Sequence, residues 1–253
     1  MLEVHHAVTK INHFNYGSFY ELCNLAMAQD LSALEIVKKA DAVVYAPRDQ
    51  HLDSKMILIN KSGDQKIRET VMYQKGDEKR SIRFLSPADQ KGIGFLSLPN
   101  DVKYLYLPAF HKIRKIASHI KNQSFAGTNF SYDDMSSFKY AKEYDVKLLE
   151  TTAEHYVLDL IPKANIKKDY SKLKMWVAKE SFYPVKIEHF DKVGNLWKVM
   201  TRGKVVKKGD YWVSMEMEDM KKQHRTKTII EKIELDSGLS DQVFTKRNLQ
   251  RVK

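Results

Sequence analysis

The 253-residue sequence predicts a mainly β fold, built as one strongly curved antiparallel sheet, closed or nearly closed. Three observations lead there. After Pro47 the apolar residues recur at a period of about 2 instead of 3.6. Gly, Asn and Asp clusters interrupt the chain at intervals of roughly 8–12 residues, the spacing of short strands and hairpins. No βαβ alternation appears, so parallel pairing has no crossover helices to support it. About eleven or twelve strands exceed what an open, strongly twisted sheet accommodates without curling or splitting. A single curved sheet is the economical solution, because no linker or composition break divides residues 29–253.

The elements follow in order. Ser32 and Glu35 form a capping box, so a short amphipathic helix begins there and Pro47 ends it. Leu34, Val37 or Lys38, Asp41 and Val44 or Tyr45 trace a partly apolar face at helical spacing. Strands are expected at Lys55–Ile59, Ile67–Tyr73, Ser81–Leu85, Gly94–Leu98 and Lys103–Leu107. A second series covers Asp145–Glu150, His155–Ile161, Lys172–Lys179, Pro184–Asp191, Asn195–Arg202, Tyr211–Met220 and Thr226–Asp236. Gly194-Asn195 and Lys208-Gly209-Asp210 supply hairpin turns. The stretch 122–138, NQSFAGTNFSYDDMSSF, has small polar residues, Gly127 and aromatics that include Phe125, Phe130 and Tyr132. It reads as a long functional loop or lid, with Asp133 or Asp134 placed to cap a short helix.

Residues 1–28 differ from the rest. They hold the one cysteine, Cys23, and end in Ala26-Met27-Ala28, the small-residue pattern that signal peptidase reads. Asn12, His13, Asn15, Glu21 and Asn24 interrupt the apolar stretch that a signal peptide needs. A degenerate signal peptide, a tail and a cloning remnant all fit the segment. Cleavage after Ala28 would leave a domain without cysteine, which suits an oxidising compartment.

Composition removes several functions. One cysteine excludes a disulfide scaffold and Cys-rich zinc sites. No nucleophile elbow, zinc-protease, Walker or dinucleotide-binding motif occurs, and His111, His119, His155, His189 and His224 lack ligand spacing. Neither catalysis, a metal nor a cofactor is expected. The net charge of +11 favours an acidic partner. Its basic residues gather at 111–121 and 221–225, where a solvated strand face and a solvated loop account for them, and phosphates of lipid headgroups are a candidate partner. Nucleic acid is not expected as the partner. The apolar inventory is more specific: methionines in the later strands, with Phe84, Phe95, Leu105, Leu107 and Val177 at alternating positions. A concave β surface lined by flexible methionine suits irregular apolar ligands such as acyl chains.

A resemblance then narrows the reading. Tyr104-Leu105-Tyr106-Leu107-Pro108, Arg114-Lys115-Ile116, and Ser124-Phe125-Ala126-Gly127-Thr128-Asn129-Phe130-Ser131-Tyr132-Asp133-Asp134 occur in this order. They resemble the Y-L-P, R-[RK]-I and S-F-x-G-T-x-F-[ST]-Y-[ED]-D segments of the outer-membrane lipoprotein-sorting protein family, within the LolA/LolB-like superfamily of periplasmic lipoprotein carriers. Lys174-Met175-Trp176-Val177 with Tyr183-Pro184-Val185-Lys186, and the tail Val243–Leu249, extend it. The resemblance implies a half-open antiparallel β-barrel with short lid helices over an apolar cavity. It also implies a non-catalytic, periplasmic carrier that shelters lipid acyl chains or lipoproteins on the way to the outer membrane. An inner-membrane transporter and outer-membrane proteins are its implied partners, and a monomer its expected form. Leu34, Val37, Val44, Phe84, Phe95, Leu105, Leu107, Phe125, Phe130, Met175, Val177 and Met215 are the expected cavity or lid residues. Lys112, Arg114 and Lys115 are the expected headgroup or membrane contacts. An envelope sensor or assembly partner, binding proteins through the sheet edge or 122–138, is the alternative, with a basic nucleic-acid-binding β-module ranked below it.

Overall fold

The computed structural model describes residues 31–136, 139–221 and 223–251, with the side chains of all of these except residues 204 and 214–221. The expected leader 1–28 and the side chain of Met215 lie outside the described residues.

In chain order the elements are α1 (Ala33–Val44), β1 (Asp49–Ile59), β2 (Gln65–Lys75), β3 (Lys79–Ser86), β4 (Gly94–Leu98), β5 (Val102–Leu107) and β6 (Lys112–Lys115). Then follow α2 (Tyr140–Glu143), β7 (Tyr144–Thr151), β8 (His155–Pro162), β9 (Lys172–Ala178), β10 (Pro184–Phe190), β11 (Leu196–Lys208), β12 (Tyr211–Lys221), β13 (His224–Leu235) and α3 (Lys246–Leu249). Among the described residues, thirteen strands form one sheet in the order β6-β5-β4-β3-β2-β1-β13-β12-β11-β10-β9-β8-β7. Every pairing is antiparallel, and β1 and β13 join the two halves through long registers. The thirteenth strand, β6, shows no alternation in the sequence because it is a four-residue, largely exposed edge.

The sheet curls without closing. Strands β3 and β11 stand five places apart, about 24 Å along a flat sheet at ~4.8 Å per strand. Yet Met200 of β11 packs on the cluster that contains Ile82 and Phe84 of β3. The edges β6 and β7 are not paired to each other, so the barrel is half open. After β6, residues 116–136 lead from that edge onto the concave cluster of Met56, Ile82 and Phe84.

Two covers fill most of the concave face. Helix α1 is fixed by the expected capping box: Glu35 N donates to Ser32 Oγ at 3.3 Å and Ser32 N to Glu35 Oε2 at 2.9 Å, a cap worth about 1 kcal/mol. It buries Ile36, Val37 and Ala40 against Leu158, Leu160, Leu173, Met175 and Val177 of β8 and β9. Each fully buried aliphatic side chain there contributes roughly 1.5–3 kcal/mol. The inner stripe is centred on Ile36, Val37 and Ala40, and at ~100° per residue Leu34 falls to its side. Leu34 is accordingly 43% exposed. Over the other half lies the 122–136 segment, whose Phe125, Phe130, Tyr132 and Met135 pack on Met56, Ile82, Phe84 and Phe95. On the opposite face of β4 and β5, Leu96 and Tyr106 receive Phe244 and Leu249 from the C-terminal tail. Gly94 allows that approach, because a Cβ there would stand 2.7 Å from Leu249 Cδ1.

Candidate functional site

Between the two covers and the curled sheet lies a cavity of about 220 Å³, the liquid volume of about seven waters. Its floor is apolar: Leu52 and Met56 of β1, Met72 of β2, Ile82 of β3, Met200 of β11, Val213 of β12, and Ile230 and Ile233 of β13. Its roof is the end of α1 (Val44, Tyr45), Pro47, Met135 and Tyr140. Strand alternation explains the floor, since Met56, Met72, Ile82 and Met200 all occupy inward positions.

Polar side chains tie the 122–136 segment to both walls. Thr226 Oγ1 of β13 accepts from Asn129 N at 3.0 Å and donates to Asn129 Oδ1 at 2.8 Å. The Arg68 guanidinium donates to Ala126 O and lies over the Phe84 ring, 5.2 Å from its centroid. Asp134 does not start a helix. Ser131 N donates to its Oδ2 at 2.8 Å, Asp134 N donates back to Ser131 Oγ at 3.1 Å, and the segment continues as turns. The same carboxylate accepts from Lys198 Nζ of β11 at 2.6 Å and from the Tyr170 hydroxyl at 3.0 Å. Burial alone would raise this carboxyl, but Lys198 and the nearby His189 hold it well below the usual range. Asp133 accepts from Lys168 Nζ at 2.7 Å, and Lys103 stands 3.4 Å away.

Besides Asp134, the titratable groups displaced beside the cavity include His189 and Asp41. Burial lowers the His189 imidazole to about 4 despite the attraction of Asp134. Burial raises the Asp41 carboxyl to about 6, although it accepts from Tyr140 N and Ala141 N at 3.0 and 2.9 Å and so links α1 to α2. His189 Nδ1 and the Thr228 hydroxyl are buried in the lining with no hydrogen-bond partner.

The expected site residues whose side chains are described separate into four groups. Val44 and Phe130 line the cavity. Val37, Met175 and Val177 sit beneath α1, and Phe84, Phe95 and Phe125 beneath or within the second cover, all fully buried in close-packed clusters that do not line it. Leu105 packs at the margin of the second cluster, Leu107 ends β5, and exposed Leu34 lies off the inner stripe of α1. Lys112, Arg114 and Lys115 are exposed on the edge strand β6. Arg80, Lys198 and Arg202 also line the cavity and were not among the expected residues. Their signal is parity: Arg80 alternates with Ile82 and Phe84, and Lys198 and Arg202 flank Met200.

An unclosed antiparallel sheet, covered by a helix and a long crossing loop over an apolar cavity, defines a LolA-like half-open β-barrel. Solved structures agree. An outer membrane lipoprotein-sorting protein domain from Vibrio parahaemolyticus is 27% identical and superposes with a TM-score of 0.78 over 87% of this chain and 98% of that one. A DUF1329 family protein from Desulfovibrio piger gives 24% identity and a TM-score of 0.80 over 86% and 97%. A LolA superfamily protein from Nitrosomonas europaea gives 19% and 0.72 over 86% and 99%. No curated protein matches the sequence. The chain belongs to the family whose model, described as "Uncharacterized protein", matches residues 76–251.

Proposed function

We propose that this protein is a periplasmic carrier that shelters the acyl chains of a lipid or lipoprotein in the cavity during transfer toward the outer membrane. The cavity itself carries the reading: an apolar floor with three methionines, under a roof made of a helix end and a loop. Each methylene moved from water into such a site contributes about 0.8 kcal/mol. That burial needs dryness and shape and no reacting group. The similarity to a domain described as lipoprotein-sorting supports the same role. In this reading residues 29–253 act as one carrier domain, an inner-membrane transporter and outer-membrane proteins are the exchange partners, and the protein is not an enzyme. Lys112, Arg114 and Lys115 on β6 face solvent beside the open edge of the barrel. They suit contact with anionic headgroups at the membrane surface.

Native mass spectrometry of protein purified from envelope extract tests the proposal. The expected spectrum shows a lipid-mass adduct that organic extraction removes. Bare protein in the spectrum, together with no uptake of a fluorescent fatty acid, would refute it.

A further inference from the structure

We propose that the cavity contains a built oxyanion subsite, formed by Arg80 and Arg202, that takes the carboxylate or phosphate headgroup of a single-chain amphiphile. The proposal rests on the carrier reading and adds the charge and placement of the ligand's polar end. Both arginines line the cavity, one from each wall of the curled sheet. Neither has a carboxylate partner among the described residues. The two carboxylates in the lining are already committed, Asp134 to Lys198 at 2.6 Å and Asp133 to Lys168 at 2.7 Å. A desolvated cation without a counter-ion is costly. Burial disfavours the charge of the Arg80 guanidinium, and the half-buried Arg202 brings a second positive charge near enough to disfavour it further.

Arg80 is held rigidly. Its Nε–H and one Nη2–H donate to Gln74 Oε1, and its Nη1 donates to Met135 O at 3.2 Å and Ser136 O at 3.0 Å. One of its five N–H groups is left for a ligand. Arg202 is held at one point, by donation to Pro184 O at 3.1 Å, with its guanidinium 5.4 Å from the centroid of the Tyr183 ring. Its remaining donors can form the paired geometry that guanidinium offers to carboxylate and phosphate. An oxyanion there would neutralise the excess charge, and its chain would run over Met200, Met72 and Val213.

The test is displacement of the neutral fluorophore N-phenyl-1-naphthylamine from the full chain by palmitic acid, hexadecyl phosphate and hexadecanol, which share a chain and differ in headgroup. Wild type is expected to release the fluorophore to both anions at tenfold or more lower concentration than to hexadecanol. Arg202→Gln is expected to bring that ratio to within about twofold, and Arg202→Lys to restore part of it. Arg80→Gln removes four structural hydrogen bonds, so Arg202→Gln decides the matter if the Arg80 variant does not fold. Equal displacement by hexadecanol and palmitic acid in wild type, or an unchanged ratio in Arg202→Gln, would overturn the subsite while leaving the carrier reading standing. Thermal stabilisation by millimolar inorganic phosphate equal to that by hexadecyl phosphate would assign the arginines to a free ion and overturn the headgroup. Failure of every probe to bind would overturn the carrier reading and the subsite with it.

Discussion

The ion pair between Asp134 and Lys198 fastens the crossing loop to the far wall of the barrel, and its removal should be expensive in a specific way. Lys198 is 4% exposed, and its ammonium lies 2.6 Å from Asp134 Oδ2. In Asp134→Asn the lysine keeps its burial and loses its counter-charge. In Lys198→Met the carboxylate keeps the Tyr170 hydroxyl at 3.0 Å and Ser131 N at 2.8 Å but loses its cation. Breaking one side of a buried pair costs about 3–5 kcal/mol, most of it the penalty on the partner left behind. For a domain of this size that lowers Tm by roughly 6–20 °C. The double variant Asp134→Asn/Lys198→Met leaves no orphaned charge and places a methionine stem where the lysine stem ran. It should cost less than either single change, giving a coupling energy above about 2 kcal/mol. Urea titration of the four proteins supplies the cycle. Single variants that each lose less than 1 kcal/mol, or effects that simply add, would refute the assignment of this pair as the loop's anchor.

Three further outcomes are expected. Phe125→Ala removes a ring stacked 5.3 Å from Phe84 and tilted against Phe95 at 5.7 Å and should cost about 3–5 kcal/mol in denaturant titration; a loss below 1 kcal/mol would show that the loop does not pack there. Gly94→Val would drive a branched side chain into Leu249, and a loss of about 1–3 kcal/mol, with faster proteolysis of the C-terminal tail, is expected; wild-type proteolysis would contradict the contact. The third concerns pH. With its native value depressed to about 4 from 6.5, His189 refuses a proton that the unfolded chain accepts, so its contribution is present above pH 6.5 and lost as pH falls toward 4. Asp41, raised to about 6 from 3.8, acts oppositely: its contribution is full below pH 3.8 and lost as pH rises through 6. The two offset in wild type between about pH 4 and 6. His189→Asn removes only the first, so between pH 7 and pH 4.5 wild type should lose about 2–3 kcal/mol more than the variant. Parallel urea midpoints at the two pH values would disprove it.

Most strands were readable because one face packs on the concave core, which imposes a period of two that the side chains record directly. Strand β6 escaped that signal, since an edge of four exposed residues has no buried face to mark it. The capping box at Ser32 and Glu35 located α1 correctly. The stripe on α1 was set by which walls it meets, β8 and β9, and that is tertiary information. Phe84, Phe95 and Phe125 have the character of a cavity lining. They form a packed core because the crossing loop lies directly on them. Arg80 and Arg202 were visible as charges at inward parity, but alternation alone does not distinguish a cation facing a cavity from one whose strand has twisted outward. The curl that brings β3 to face β11 decides between them.

The central claim is that the cavity over Met72, Met200 and Val213 takes an acyl chain. Val213 is 5% exposed and lies on its floor, so Val213→Trp places an indole in the space the chain would occupy. The most direct measurement is fluorescence titration of wild type and Val213→Trp, each verified as folded by circular dichroism, with dansyl-undecanoic acid. The predicted result is saturable one-to-one binding by wild type and a loss of at least tenfold in the folded variant. Equal binding by both proteins would place the chain elsewhere on the molecule, and no binding by wild type would contradict the carrier account altogether.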